Sequence, residues 1–355
     1  MKKILLLNRG YSDNFGDQAI KISMEKLIFS YIKNKEIELK FYDIEEMERK
    51  IPFEFKEKTN YLNNNILKKM ILPMYIKLNY FKFLTKLFSF MKSKKEENYD
   101  YIVFGGGQLI QNYFPFALSF FGWSNYFPKA KKMILFAGCG NEYNFLNQKL
   151  FKKSFEKIST ITLRDENSKI NLEKRFKKTS EIIPDPVFVI SDFYKKNEKE
   201  VIKKSVGFAF MNFSEYKKFN KKSTEDFYNE LCLKELNKEM SKNKKVFLFY
   251  TTISDIKWNI NFQNYLISKG IKDIQLIHNN NFQEFLKNIL KFEKIISNRM
   301  HALIIAYSYK IPIEIFITSN KLKGFEEELK NLGELKEIKQ KIYIETERFF
   351  KNEKL

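Results

Sequence analysis

The stretch Tyr99-Asp100-Tyr101-Ile102-Val103-Phe104-Gly105-Gly106-Gly107 is a short apolar run that stops on glycines. A run of this length closed by a turn signal reads as a buried strand of a parallel sheet, where both faces are covered and the sequence need not alternate. The same pattern recurs on either side. Lys3 to Leu7 passes into Asn8-Arg9-Gly10 and then a helical pattern near Asp17 to Tyr31. Met133 to Ala137 ends in Gly138-Cys139-Gly140, and Thr160 to Leu163 ends in Arg164-Asp165 with a helix from about Ser168. Strands alternating with helices predict a parallel sheet covered on both faces. Each strand ends on Gly or a charged residue, at the edge where open α/β sheets place their ligands.

A charged stretch around Lys195 to Glu200 follows, and the pattern then repeats. Strands are expected at Ser205 to Phe210, Lys245 to Tyr250, Ile274 to Ile277, Lys294 to Ile296 and Pro312 to Ile317. Helices are expected at about Thr224 to Met240, Asn259 to Lys269, Phe282 to Leu290 and Ala302 to Ser308. A length of 355 residues suits two domains. The expectation is an α/β chain of two doubly wound Rossmann-like domains facing a cleft, the GT-B-like plan, with domains at 1–195 and 196–355. Residues 56–95 form a basic, apolar insertion in the first. Its densest part, Ile66 to Lys95, holds eight lysines and no acid among Met, Ile, Leu and Phe. It reads either as an element lying on an anionic membrane or as a packed helix with a lysine-rich solvent face.

The net charge of +21 comes from 64 Lys plus Arg against 43 Asp plus Glu, but only six of the basic residues are arginine. No helix-turn-helix, RNP or zinc-finger pattern accompanies that charge, so no nucleic-acid partner is expected. Two cysteines, Cys139 and Cys232, make no disulfide framework and suit a reducing cytoplasm. The apolar run after Met1 is too short for a signal peptide. No stretch is long enough for a spanning helix. No HExxH, Cys/His cluster, P-loop or GxGxxG pattern is present, so neither a metal nor a cofactor is expected.

Scarcity makes the two histidines and six arginines informative. His301 follows a strand within Ser297-Asn298-Arg299-Met300-His301-Ala302, at the N-terminus of a small-residue helix, where free N–H groups and the helix dipole favour anions. In a chain that uses Lys for most positive charge, the positions that keep Arg are candidates for needing its planar fork. Arg9, Arg164 and Arg299 all follow predicted strands and point to an anionic substrate. Asp17, after Asn14-Phe15-Gly16, reads either as a helix N-cap or as the acceptor for a substrate hydroxyl. Asp185, between two prolines, reads as a structural turn.

Taken in order, Asn14-x-Gly16-Asp17, Gly105-Gly106-Gly107, Arg164-Asp165-x-x-Ser168, Pro184-Asp185-Pro186, Arg299-x-His301-Ala302 and Lys321-x-x-Gly324-Phe325 resemble the polysaccharide pyruvyl transferase family. The resemblance spans residues 4 to about 330, with Met300 where that family often has Leu. It implies transfer of the enolpyruvyl unit of phosphoenolpyruvate onto a sugar of a surface polysaccharide or its lipid-linked precursor, with closure of a ketal on two hydroxyls. It also implies that Arg164, Arg299 and Lys321, with Met300 beside them, bind the donor, and that His301 and Asp17 are catalytic. Asn14, Gly16, Gly105, Gly106, Gly107 and Gln108 fall to the acceptor or its loops, and residues 196–355 to the donor side. The expected location is cytoplasmic, with attachment to the inner face of the membrane in the reading that lays Ile66 to Lys95 on an anionic surface. A GT-B-type glycosyltransferase with a nucleotide-sugar donor is the alternative, since the same cations would hold a diphosphate.

Overall fold

The structure, a computed structural model, describes residues 1–32, 35–45 and 81–352. The chain forms two compact units. The first comprises Met1–Tyr11, Met24–Asp185 and the chain from Glu345 on; the second comprises Ser12–Ser23 and Pro186–Ile344. The sequence places one boundary at 195/196. The structure divides the chain inside Pro184-Asp185-Pro186, and the short segment Ser12–Ser23 is counted with the second unit.

In the first unit six parallel strands, β1 (Lys2–Asn8), β2 (Ile37–Asp43), β3 (Tyr101–Ile110), β4 (Lys131–Cys139), β5 (Ile158–Leu163) and β6 (Glu181–Ile182), lie in the order β2-β1-β3-β4-β5-β6. Ile4 to Leu7 of β1 are fully buried, as expected of an unalternating strand covered on both faces. The helices Phe114–Tyr126, Phe145–Phe155 and Glu166–Phe176 contribute to its core, where the Phe120 ring stacks on Phe104 of β3 at 4.2 Å.

β3 departs from the expected pattern. The sequence predicts a loop at Gly105-Gly106-Gly107, but the strand continues through the glycines to Ile110. Gly106 and Gly107 have φ of +71° and +74°, a region that glycine enters without a Cβ penalty, and pairing with β4 shifts register between Gly107 and Ile110. A Cβ on Gly105 would fall 3.1 Å from Leu6 Cδ1 and closer still to the end of Met24. The triplet is buried and lets β3 bend while staying in the sheet; Gln108 beyond it is half-buried.

In the second unit five parallel strands, β7 (Ser205–Ala209), β8 (Lys245–Phe249), β9 (Gln275–Ile277), β10 (Lys294–Ser297) and β11 (Ile313–Ile315), lie in the order β11-β10-β7-β8-β9. The chain runs outward from β7 to β9, then returns to β10 on the other side of β7. Each sheet is thus doubly wound, with its switch point between β1 and β3 in the first and between β7 and β10 in the second. Helix starts are marked by side-chain caps: Asn212 accepts from Glu215 N–H, Thr224 from Phe227 N–H and Asn281 from Glu284 N–H.

Of the basic, apolar segment, residues 66–80 lie outside the described residues. Residues 81–93 form a helix that buries Leu87 and Met91 in the core of the first unit, against Gly122, and exposes Lys82, Lys86 and Lys92. Among the described residues no helix is long and apolar enough to cross a membrane.

Candidate functional site

The switch point of the second sheet is built from the turn that follows β10. Ser297 is fully buried; its hydroxyl donates to Ala209 O of β7 at 2.7 Å and accepts from Arg299 N–H at 2.8 Å. Asn298, also buried, accepts from Met211 N–H at 2.7 Å and donates from Nδ2 to the Tyr228 hydroxyl at 2.9 Å. These bonds fasten Ser297-Asn298-Arg299 to the end of β7. The turn then opens directly into the helix Met300–Ser308, with Arg299 at its N-cap position.

Arg299 does not wave in solvent. Its Nε donates to Asp255 Oδ2 at 2.9 Å and its Nη2 to Oδ1, a fork-to-fork pair. Asp255 is fully buried after β8 and also accepts from Asn212 N–H and Nδ2, each at 2.9 Å. Burial pushes the Asp255 carboxyl up from the ordinary carboxylate range, while the Arg299 charge and the Arg299 and Asn212 hydrogen bonds pull it back. The guanidinium is held in one orientation, with Nη1 uncommitted among the described residues.

His301 lies in the first turn of the same helix, half-buried against the loop Asn14-Phe15-Gly16. A Cβ on Gly16 would sit 2.4 Å from His301 Nδ1, 2.7 Å from Cγ and 2.8 Å from its Cβ, so only glycine admits the ring at this distance. The loop is fastened to the segment after β8. Phe15 N–H donates to Thr251 O at 2.8 Å, Ile253 N–H donates to Asp13 O at 3.2 Å, and the Phe15 ring stacks on Phe285 at 4.8 Å.

The helix Phe15–Ile32 starts two residues before the expected Asp17. Asn14, whose Oδ1 accepts from Gly16 N–H at 2.9 Å, supplies the local cap in place of Asp17. Asp17 accepts from the Ser12 hydroxyl at 2.8 Å through Oδ2, which leaves Oδ1 for another donor.

Lys321 stands exposed in the first turn of the helix Asn320–Asn331, after β11, the neighbour of β10. Buried Leu322 and Phe325 anchor that turn. Asn14, Gly16, Asp17, Arg299, Met300, His301 and Lys321 all belong to the second unit, and among them Gly16 and His301 are in contact.

Arg164 belongs to the first unit, at the carboxyl end of β5. Its side chain is 4% exposed, with Nη1 on Asp185 Oδ2 at 3.0 Å and Nε on Asp165 Oδ2 at 3.4 Å. The guanidinium lies on Gly138, where a Cβ would come within 3.2 Å of Nη2. Asp165 also caps the next helix through Ser168 N–H at 2.7 Å, and the Ser168 hydroxyl accepts from Cys139 N–H at 2.9 Å. Gly138-Cys139, Arg164-Asp165-x-x-Ser168 and Pro184-Asp185-Pro186 thus interlock, and Asp185 is the partner of Arg164 as well as a turn residue. Burial pushes the Cys139 thiol up to about 11, unlike an activated nucleophile. His278, beyond β9, sits edge-on to the Tyr250 ring.

Asp255, Asn212 and Asn298 were not among the residues expected from sequence. Asp255 carried a usable signal, a charged residue shortly after a predicted strand, but its short 3-10 turn has no pattern of its own. Among the described residues, no group of three or more His, Cys, Asp or Glu is arranged to hold a metal ion.

Solved structures similar to this chain share its fold at low identity. UDP-GlcNAc 2-epimerase from Methanocaldococcus jannaschii matches with a TM-score of 0.54 and 14% identity, over 96% of this chain and 92% of that one. A putative UDP-N-acetylglucosamine 2-epimerase from Listeria monocytogenes gives 0.57 and 12%, over 92% and 82%. The Neisseria meningitidis UDP-GlcNAc 2-epimerase bound to UDP-GlcNAc gives 0.52 and 14%, over 97% and 94%. The likeness establishes the GT-B-like α/β fold and nothing about substrate. No curated protein matches the chain significantly by sequence. A family model described as polysaccharide pyruvyl transferase matches residues 14–313, from the cap of the first helix through the Arg299–His301 turn into β11, and the chain belongs to that family.

Proposed function

We propose that this chain transfers the pyruvyl group of phosphoenolpyruvate to a sugar of a surface polysaccharide, or of its lipid-linked precursor, and closes it as a ketal on two hydroxyls. The observation that carries this reading is the Arg299 guanidinium, locked by Asp255 through Nε and Nη2 and leaving Nη1 for a ligand, two residues before His301 at a helix N-terminus on the switch point of the second sheet. Phosphoenolpyruvate presents a carboxylate and a phosphate on a three-carbon unit, so it calls for oriented cations and backbone donors. In this reading Arg299 and Lys321 meet those oxyanions, with the helix N–H groups behind them.

His301 protonates the methylene carbon, which makes the central carbon electrophilic. One sugar hydroxyl adds there; the bond from the central carbon to the phosphate oxygen breaks; a second hydroxyl closes the ketal. Of the two hydroxyl protons released, one replaces the proton given to the methyl group and the other leaves with phosphate. Asp17 receives a hydroxyl proton through its uncommitted oxygen. For Arg164, in the first unit, a donor-oxyanion role rests on the family resemblance alone, since Asp185 and Asp165 take its Nη1 and Nε.

Asp255 positions Arg299, so Asp255→Asn releases the guanidinium from the orientation in which Nη1 meets the donor. The expected result is a donor KM raised about tenfold or more, the loss of a charge-assisted hydrogen bond or two, with a smaller fall in kcat. Steady-state kinetics at varied donor concentration check it, and an unchanged KM contradicts the assigned role.

A glycosyl transfer from a nucleotide sugar is the second reading, because the same cations at a helix N-terminus would hold a diphosphate. A thermal-shift comparison separates the two. The proposal expects phosphoenolpyruvate to raise the melting temperature and UDP-GlcNAc to leave it unchanged. Stabilisation by the nucleotide sugar alone would favour the second reading.

A further inference from the structure

A shallow, wide-open depression of about 690 Å³ lies between the helices Phe213–Phe219 and Glu225–Met240 of the second unit. It is lined by the rings of Tyr216, Phe219 and Phe227 and by Lys221 and Lys222. Phe219 and Phe227 are 54% and 55% exposed, two large apolar rings left open to water in one depression. A depression walled by aromatic rings can seat a ligand with apolar faces. The lining carries two positive charges and no carboxylate; Glu225 and Asp226 open the following helix without lining the recess.

The walls are preformed. Asn220 donates from Nδ2 to Thr318 O at 2.9 Å, which ties the loop to the segment between β11 and the helix bearing Lys321. Thr224 caps the helix on the far side. Tyr216, the buried wall, stacks on Tyr228 at 4.1 Å, and the Tyr228 hydroxyl accepts from Asn298, the residue before Arg299. The recess is therefore built onto the same carboxyl edge that carries Arg299 and Lys321, one packed ring behind the turn.

A ligand that suits both walls has flat apolar faces and negative charge. The C–H face of a pyranose ring is apolar and packs on an aromatic side chain, while a carboxylate or phosphate on the sugar meets a lysine. We propose that this recess is a subsite for the non-reacting sugars of an acidic glycan acceptor, with Phe219 and Phe227 as platforms and Lys221 and Lys222 as counter-charges. The proposal rests on the transferase reading in taking the glycan as acceptor, and its test does not involve the donor.

The test is calorimetric titration of the full chain, without phosphoenolpyruvate, using hexagalacturonate as an acidic probe and maltohexaose as a neutral one. The expected result is that hexagalacturonate binds, more tightly than maltohexaose. Its Kd should rise about tenfold or more in the F219A/F227A double variant and again in K221Q/K222Q, with melting temperatures unchanged because all four side chains are exposed. Absence of hexagalacturonate binding, equal binding by wild type and both variants, or tighter binding of single-stranded oligothymidylate would overturn it. Each of those outcomes leaves the donor assignment standing, and a donor that fails to stabilise the protein leaves the titration intact.

Discussion

Replacing His301 by alanine lowers turnover by about 10²–10⁴-fold, the range expected for loss of a general acid–base group, with little effect on donor affinity. The division between kcat and KM follows from the geometry. The groups assigned to the donor oxyanions are Arg164, Lys321, Arg299 as fixed by Asp255, and the first N–H groups of the helix Met300–Ser308, and none of them depends on the imidazole. What disappears is the proton delivered to the methylene carbon, an interaction of the transition state rather than of the bound donor. Turnover should fall and donor KM should stay within a few-fold. Near-normal turnover in a folded His301→Ala protein would remove the residue from the mechanism.

Gly16→Ala should lower turnover by about 10²-fold although it removes no functional group. The added methyl would meet Nδ1, Cγ and Cβ of His301 at 2.4, 2.7 and 2.8 Å, and the last two are the root of the side chain, so rotation of the ring does not relieve the contact. The loop cannot easily retreat, because Phe15 N–H and Asp13 O are both bonded to the segment after β8 and the Phe15 ring is stacked on Phe285. The imidazole must shift instead, and a misplacement of about 1 Å is enough for a loss of that size. Alanine in place of glycine near a helix start would otherwise be neutral or stabilising by up to about 1 kcal/mol. A fully active, slightly stabilised variant would show that the packing of Gly16 on His301 is not what positions the ring.

These two residues also show how much could be read from the chain itself. Strands buried on both faces, such as Ile4 to Leu7 and Ile295-Ile296, announce themselves as apolar runs, and the small-residue helix after β10 was legible from Ala302 to Ala306. Both doubly wound sheets followed from that alternation. Arg299 and His301 stood out because Arg and His are rare here. Their supports did not. The contact between Gly16 and His301 joins residues far apart in sequence, and no local pattern reports it. Asp185 looked like a turn between prolines, yet its carboxylate holds Arg164. The glycine triplet looked like a loop because glycine is read as punctuation, whereas its positive φ values serve a bend within β3. β2 is absent from the expected strands because Ile37 to Phe41 is only half-buried and alternates Glu38 and Lys40 with its apolar residues, unlike the continuous apolar runs of the other strands.

The most direct measurement of the central claim is the fate of carbon from phosphoenolpyruvate labelled with carbon-13 at its central position, incubated with the protein and a cell-surface polysaccharide. The account predicts a labelled ketal carbon in the polysaccharide, with one phosphate released per label incorporated and no incorporation by His301→Ala above about 1% of wild type. Label remaining in the donor, while a nucleotide sugar supplied in parallel releases its diphosphate and glycosylates the same polysaccharide, would contradict it.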